Sequence, residues 1–162
     1  MKEKWLVHSK KADFNAIAAK YHISPITARI IRNRDYIEDK DINLYLNGSL
    51  GELHSPWLLK DMDKAVSIIE NAIDNKQSIR VVGDYDIDGV CAGNVLVKGL
   101  EMAGAFVSFA VPDRIIDGYG INERIIEEAY EDGIDLIVTC DNGIAAIPAI
   151  RRAKELGMTV VV

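Results

Sequence analysis

The sequence predicts an α/β fold, a parallel β-sheet with helices on both faces, preceded by a small N-terminal helical segment. Two observations predict the sheet. From Ser78 onward, short apolar runs alternate four times with stretches in helical period. Those runs are continuous rather than alternating, which marks strands buried on both sides, and each crossover helix must pack back onto the sheet. A third observation separates the front of the chain: the first 60 residues carry only short helical and loop signals. The predicted division is therefore 1–60, a basic helical segment, and 61–162, a sheet-forming part.

The elements follow in order. Residues 13–21 place Phe14, Ile17 and Ala18 on one helical face, and Ser24-Pro25 then supplies an N-cap and a first-turn proline for a second short helix. The pair has the outline of a helix-turn-helix, but small helical pairs are common, and the reading preferred is an appendage with a basic face. Residues 47–51 mark a loop. Met62, Ala65, Val66, Ile69, Ala72 and Ile73 then recur at helical spacing. Beyond them the pattern predicts strands at 79–82, 105–111, 134–139 and 158–162, with helices at 90–103, 122–130 and 145–156.

The chain has 162 residues, 49% hydrophobic and 27% charged, the composition of a globular protein able to bury a core. Cys91 and Cys140 lie at no ligand-like spacing, which argues against a disulfide or zinc framework and for a reducing, cytoplasmic setting. No apolar run approaches the roughly 18 residues of a membrane span, so neither signal peptide nor anchor is expected. The net charge of −6 is unevenly distributed: residues 1–80 carry 13 basic and 11 acidic side chains, residues 81–162 carry 6 and 14. Within the first 34 residues 8 bases (Lys2, Lys4, Lys10, Lys11, Lys20, Arg29, Arg32, Arg34) face 2 acids.

Ligands of such sheets bind beyond the carboxyl ends of the strands. There the chain places Gly83-Asp84-Tyr85-Asp86-Ile87-Asp88-Gly89 after the first strand and Cys140-Asp141-Asn142-Gly143 after the third. Asp84, Asp86, Asp88 and Asp141 would repel one another if left alone, and a hard divalent cation, Mg²⁺ or Mn²⁺, resolves that repulsion. The bland alternative is helix capping, which accounts for one or two of them. Asp84 is the weakest candidate of the four. A calcium loop of the EF-hand type is excluded, because its twelfth position counted from Asp84 is Val95 and a strand precedes it. A haloacid-dehalogenase-like phosphatase is the rival reading, with Asp86 as nucleophile, Asp88 as acid and Thr139 on the phosphate; it leaves Asp141 without a task. A second rival is a non-catalytic nucleic-acid-binding module built on residues 11–34.

At VVGDYDIDGV, PDRIIDGYGIN and LIVTCDNGI, in that order, the chain resembles the DHH phosphoesterase superfamily, and within it the RecJ-type family of bacterial exonucleases that degrade single-stranded DNA from the 5′ end. The SPWLLKDMDKA segment and the basic N-terminal stretch also look like that family. The resemblance implies a DHH-type sheet and metal-assisted phosphodiester hydrolysis with two Mn²⁺ or Mg²⁺ ions, in DNA repair and recombination. It implies Asp86, Asp88 and Asp141 as metal ligands, with Asp84 in a supporting catalytic role. Arg114, Gly118 and Tyr119 match a loop near the substrate, Arg114 suited to a phosphate and Tyr119 to stacking on a base or packing the site. The Asp-His-His triplet that names the superfamily is absent; the chain's histidines, His8, His22 and His54, all precede the sheet. The rest of the catalytic core and a nucleic-acid-binding domain are therefore expected beyond Val162, and the chain alone is expected to be inactive.

Overall fold

The computed structural model describes Glu3 and residues 10–162. Lys2, Lys4 and His8 lie outside the described residues. The chain divides into two compact units, Met1–Pro56 and Trp57–Val162.

The first unit contains helices α1 (Phe14–Tyr21), α2 (Pro25–Asn33) and α3 (Asp39–Asn47). Their starts are chemically explicit. The Asp13 carboxylate accepts from Ala16 N at 2.9 Å, and the Ser24 hydroxyl accepts from Thr27 N at 3.0 Å, with Pro25 in the first turn where its missing N–H is harmless. Ala18, Ala28, Ile31 and Ile42 form the small apolar interior. Helix α3 is an addition to the predicted pair: only Ile42 of its residues is buried, so its sequence carries almost no amphipathic signal. The predicted basic face is partly neutralised, since Lys10 pairs with Asp35 and Lys20 with Asp39, while Arg29 keeps its charge and lies 4.9 Å over the ring of Phe14.

The second unit holds α4 (Met62–Asp74), β1 (Ser78–Val82), α5 (Ile87–Met102), β2 (Phe106–Ala110), α6 (Glu123–Glu131), β3 (Leu136–Thr139), α7 (Ile147–Glu155) and β4 (Thr159–Val161). The four strands form one parallel sheet in the order β2-β1-β3-β4, with Val81 level with both Phe109 and Val138. Strand period divides its side chains between two cores. Ile79, Val81, Leu136 and Val138 pack with Ala72 of α4 and Leu100 of α5. Val82 and Ile137 face the other way, onto Ile125, Ile126 and Ala129 of α6 and Ala149 and Ala153 of α7. Helices thus cover both faces, as the continuous apolar strands require. Helix α5 begins at Ile87, ahead of the expected Val90, because Asp86 caps it. Among the described residues, no helix is long and apolar enough to cross a membrane.

Candidate functional site

Parallel pairing brings the carboxyl ends of β1, β2 and β3 to one edge, and the loops that follow them carry every predicted site residue. The first loop is folded tightly under α5. The Asp86 carboxylate accepts from Asp88 N at 3.0 Å and Gly89 N at 3.1 Å, a two-bond N-cap that starts the helix and sets Asp88 in its first turn. The turn lies directly on the loop backbone: a Cβ at Gly89 would stand 2.4 Å from both N and O of Asp84. Asp84 is sealed beneath it. Its residue is 0% exposed, and neither carboxylate oxygen has a hydrogen-bond partner. A buried acceptor left open is rare in a folded protein, because its desolvation is uncompensated.

The third loop is held by Asn142. Its amide donates to Val82 O at 3.1 Å and Cys140 O at 3.0 Å, while its own carbonyl accepts from Ile121 N at 3.4 Å. The Thr139 hydroxyl, buried, donates to Asn142 O at 3.0 Å, which leaves it no role on a phosphate. This packing drives Asp141 into the left-handed region, φ 59°, and exposes its side chain. The Asp141 carboxyl is raised above the ordinary range, first by desolvation, then by the charge of Asp86 and a hydrogen bond shared with it, then by Asp88 and Asp84. The four predicted carboxylates therefore act on one another across two loops. Burial, and then the charge of Asp141, also pushes the neighbouring Cys140 thiol up.

Between them, residues 111–122 form a braced loop. Asp113 accepts from Ile115 N at 2.8 Å and Ile116 N at 3.0 Å, and donates its own N–H to Asp117 at 2.7 Å. Asp117, its side chain 1% exposed, takes two bonds from the Arg124 guanidinium, one of 2.5 Å from Nε, and is held well below the usual carboxylate range by it. Gly118 and Gly120, both at φ 74°, turn the chain back toward the sheet edge. Tyr119 then reaches the third loop, donating to Asp141 O at 3.3 Å; desolvation and the carboxylates of Asp84, Asp141 and Asp86 raise its phenol. Arg114 lies 5.2 Å over the ring of Tyr85, and Tyr85 meets Tyr119 edge-on at 6.4 Å and 88°.

The structure thus gathers Asp84, Asp86, Asp88, Asp141, Arg114 and Tyr119 at one edge, with Gly118 shaping the turn that delivers Tyr119. Among the described residues, no three His, Cys, Asp or Glu side chains converge closely enough to grip an ion as they stand. The reason lies in the loop: Asp86 is turned to its cap and Asp84 is enclosed under it. Two residues escaped the sequence reading, Tyr85 and Asn142. The Asn-Gly pair at 142–143 was a turn signal that could have found one of them; a tyrosine between two aspartates was the only pointer to the other.

The DHH family model, described as its N-terminal domain, matches residues 78–162. The chain belongs to the DHH family. The matched stretch begins at β1 and so contains all three loops of the site. Over 162 residues the chain is 33% identical to the single-stranded-DNA-specific exonuclease RecJ of Bacillus subtilis (strain 168), covering 99% of this chain and 21% of that protein. It is also 33% identical to the same-named exonuclease of Salmonella typhimurium, covering 100% and 27%. Among solved structures, exonuclease RecJ bound to manganese is similar at 37% identity and a TM-score of 0.59, over 63% of this chain and 26% of that one. RecJ of Thermus thermophilus in complex with Mn²⁺ matches at 26% identity and a TM-score of 0.63, over 97% and 22%. The chain spans about a fifth to a quarter of the length of the curated relatives it matches.

Proposed function

We propose that this chain is the first portion of a metal-dependent 5′ to 3′ exonuclease specific for single-stranded DNA, serving repair and recombination in the cytoplasm. Alone, it has negligible nuclease activity. The observation that carries the reading is Asp84, a fully buried carboxylate with both oxygens unpartnered, one of a set of carboxylates whose charges raise Asp141. An all-oxygen anionic donor set of this kind fits a hard divalent cation, Mn²⁺ or Mg²⁺. Support also comes from the relatives, whose names give single-stranded DNA as substrate, and from two RecJ structures described as holding manganese. That the matched relatives are four to five times longer supports the division of labour with a further region.

Asp86, Asp88 and Asp141 would hold the pair of cations, with Asp84 behind them. When bound, such ions supply Lewis acidity, lowering the pKa of water and offsetting charge on the leaving oxygen. The chain's residues do the rest. Arg114 offers a guanidinium to a phosphate, and Tyr119, 68% exposed, presents a ring on which a base can stack. Gly118 lets the loop deliver that ring. No side chain is needed as nucleophile, and the phosphatase alternative loses Thr139, whose hydroxyl is already engaged. Residues 1–60 serve as a basic helical preface and 61–162 as the first part of the catalytic subdomain.

The test is a Mn²⁺ titration of the pure chain read by electron paramagnetic resonance, beside a degradation assay on a labelled single-stranded oligonucleotide. Weak Mn²⁺ binding that disappears in Asp141→Asn, with no degradation, is expected. Binding indifferent to Asp141→Asn overturns the metal reading; robust degradation abolished by Asp88→Ala overturns the claim that the chain alone is inactive.

A further inference from the structure

We propose that Tyr85 is a positioning residue for Arg114: its ring face holds the guanidinium beside the carboxylate group and keeps it from falling into it. The inference rests on the reading above that Arg114 receives a substrate phosphate.

The electrostatics set the problem. A guanidinium on a loop at the sheet edge whose neighbouring loops carry four carboxylates is drawn to them, and an ion pair there would block both a cation and a phosphate. Yet among the described residues Arg114 forms no ion pair, and its recorded partner is the Tyr85 ring at 5.2 Å. The ring is well placed to compete. Tyr85 is half-buried in the first loop between Asp84 and Asp86, so its backbone is fixed by the same turn that caps α5. Its edge is braced by Tyr119 at 6.4 Å and 88°, and Tyr119 is tied in turn to Asp141 O. The two rings therefore bridge all three loops, and the cation sits over the Tyr85 ring. This arrangement needs the ring and not the hydroxyl of Tyr85, which receives no hydrogen bond from Arg114.

The probe is fluorescent pentathymidylate with Mn²⁺, titrated into the wild-type chain, Tyr85→Leu, Tyr85→Phe, Arg114→Ala and the Tyr85→Leu/Arg114→Ala double variant. Proton NMR of the Arg114 side chain is recorded in parallel. Upfield ring-current shifts of Arg114 are expected in wild type and Tyr85→Phe and lost in Tyr85→Leu. Tyr85→Leu should weaken capture about fivefold, the scale of one cation–π contact, while Tyr85→Phe binds as wild type. Adding Tyr85→Leu to Arg114→Ala should cost nothing further. The proposal falls if wild type shows no ring-current shift, or if Tyr85→Leu weakens capture equally with and without Arg114. If Arg114→Ala captures the oligonucleotide as wild type does, the phosphate role of Arg114 falls separately, and the NMR shift alone decides for or against Tyr85.

Discussion

Asp84 and Asp117 are both carboxylates withdrawn from water at the same edge of one sheet, and everything around them differs. Asp117 is closed: Arg124 grips both oxygens, Asp113 N adds a third bond, and its carboxyl is held low. The Asp84 side chain is also shut from water, and neither of its oxygens has a partner. A buried charge that is fully partnered belongs to the frame, because the chain itself supplies the compensation. One left open points to compensation from outside the chain. The pair shows how one fold can shut two identical side chains from water and supply partners to only one of them.

The comparison can be broken by moving the Asp84 loop. Gly89→Ala places a Cβ 2.4 Å from the Asp84 backbone, so α5 must shift; a loss of about 3 kcal/mol is expected, read as a urea midpoint. Asp117→Ala should cost about 2 kcal/mol, the worth of charge-assisted bonds, since the guanidinium left behind can turn to solvent. Because the folded carboxyl lies below its unfolded value, that contribution is complete above roughly pH 4 and fades as pH falls further. The gap between wild type and Asp117→Ala should accordingly be full at pH 6 and shrink at pH 3. The opposite sign is expected at Asp84. With divalent metal absent, Asp84→Asn should raise stability by about 1 kcal/mol, read from the urea midpoint, by removing an unpartnered buried carboxyl group, and Mn²⁺ should no longer stabilise the variant. Tyr119→Phe should leave the midpoint unchanged, because its hydroxyl makes one long bond beside solvent.

The sheet and its helices were legible because period decides them: Val81, Val82, Leu136, Ile137 and Val138 are apolar in unbroken runs and end up buried on both faces. The start of α5 was not, since Gly89 reads as loop and only the observed Asp86 cap extends the helix back to Ile87. Helix α3 escaped because a helix that buries one residue leaves no stripe. At the site, four aspartates and the 113–120 loop were visible as residue types in strand-end positions. The burial of Asp84 was not, because depth and missing partners are properties of packing that spacing does not encode. Tyr85 and Asn142 were hidden for the same reason, their roles being set by what lies across from them.

One amide links the two carboxylate loops. Val82 O accepts both Cys140 N at 3.0 Å and Asn142 Nδ2 at 3.1 Å, so the interval between the first and third loops is inherited from the rung spacing of a parallel ladder. Such a dimension hardly responds to salt, temperature or side-chain rotation. The spacing of the two loops is thus a property of the backbone, fixed before any carboxylate side chain is placed.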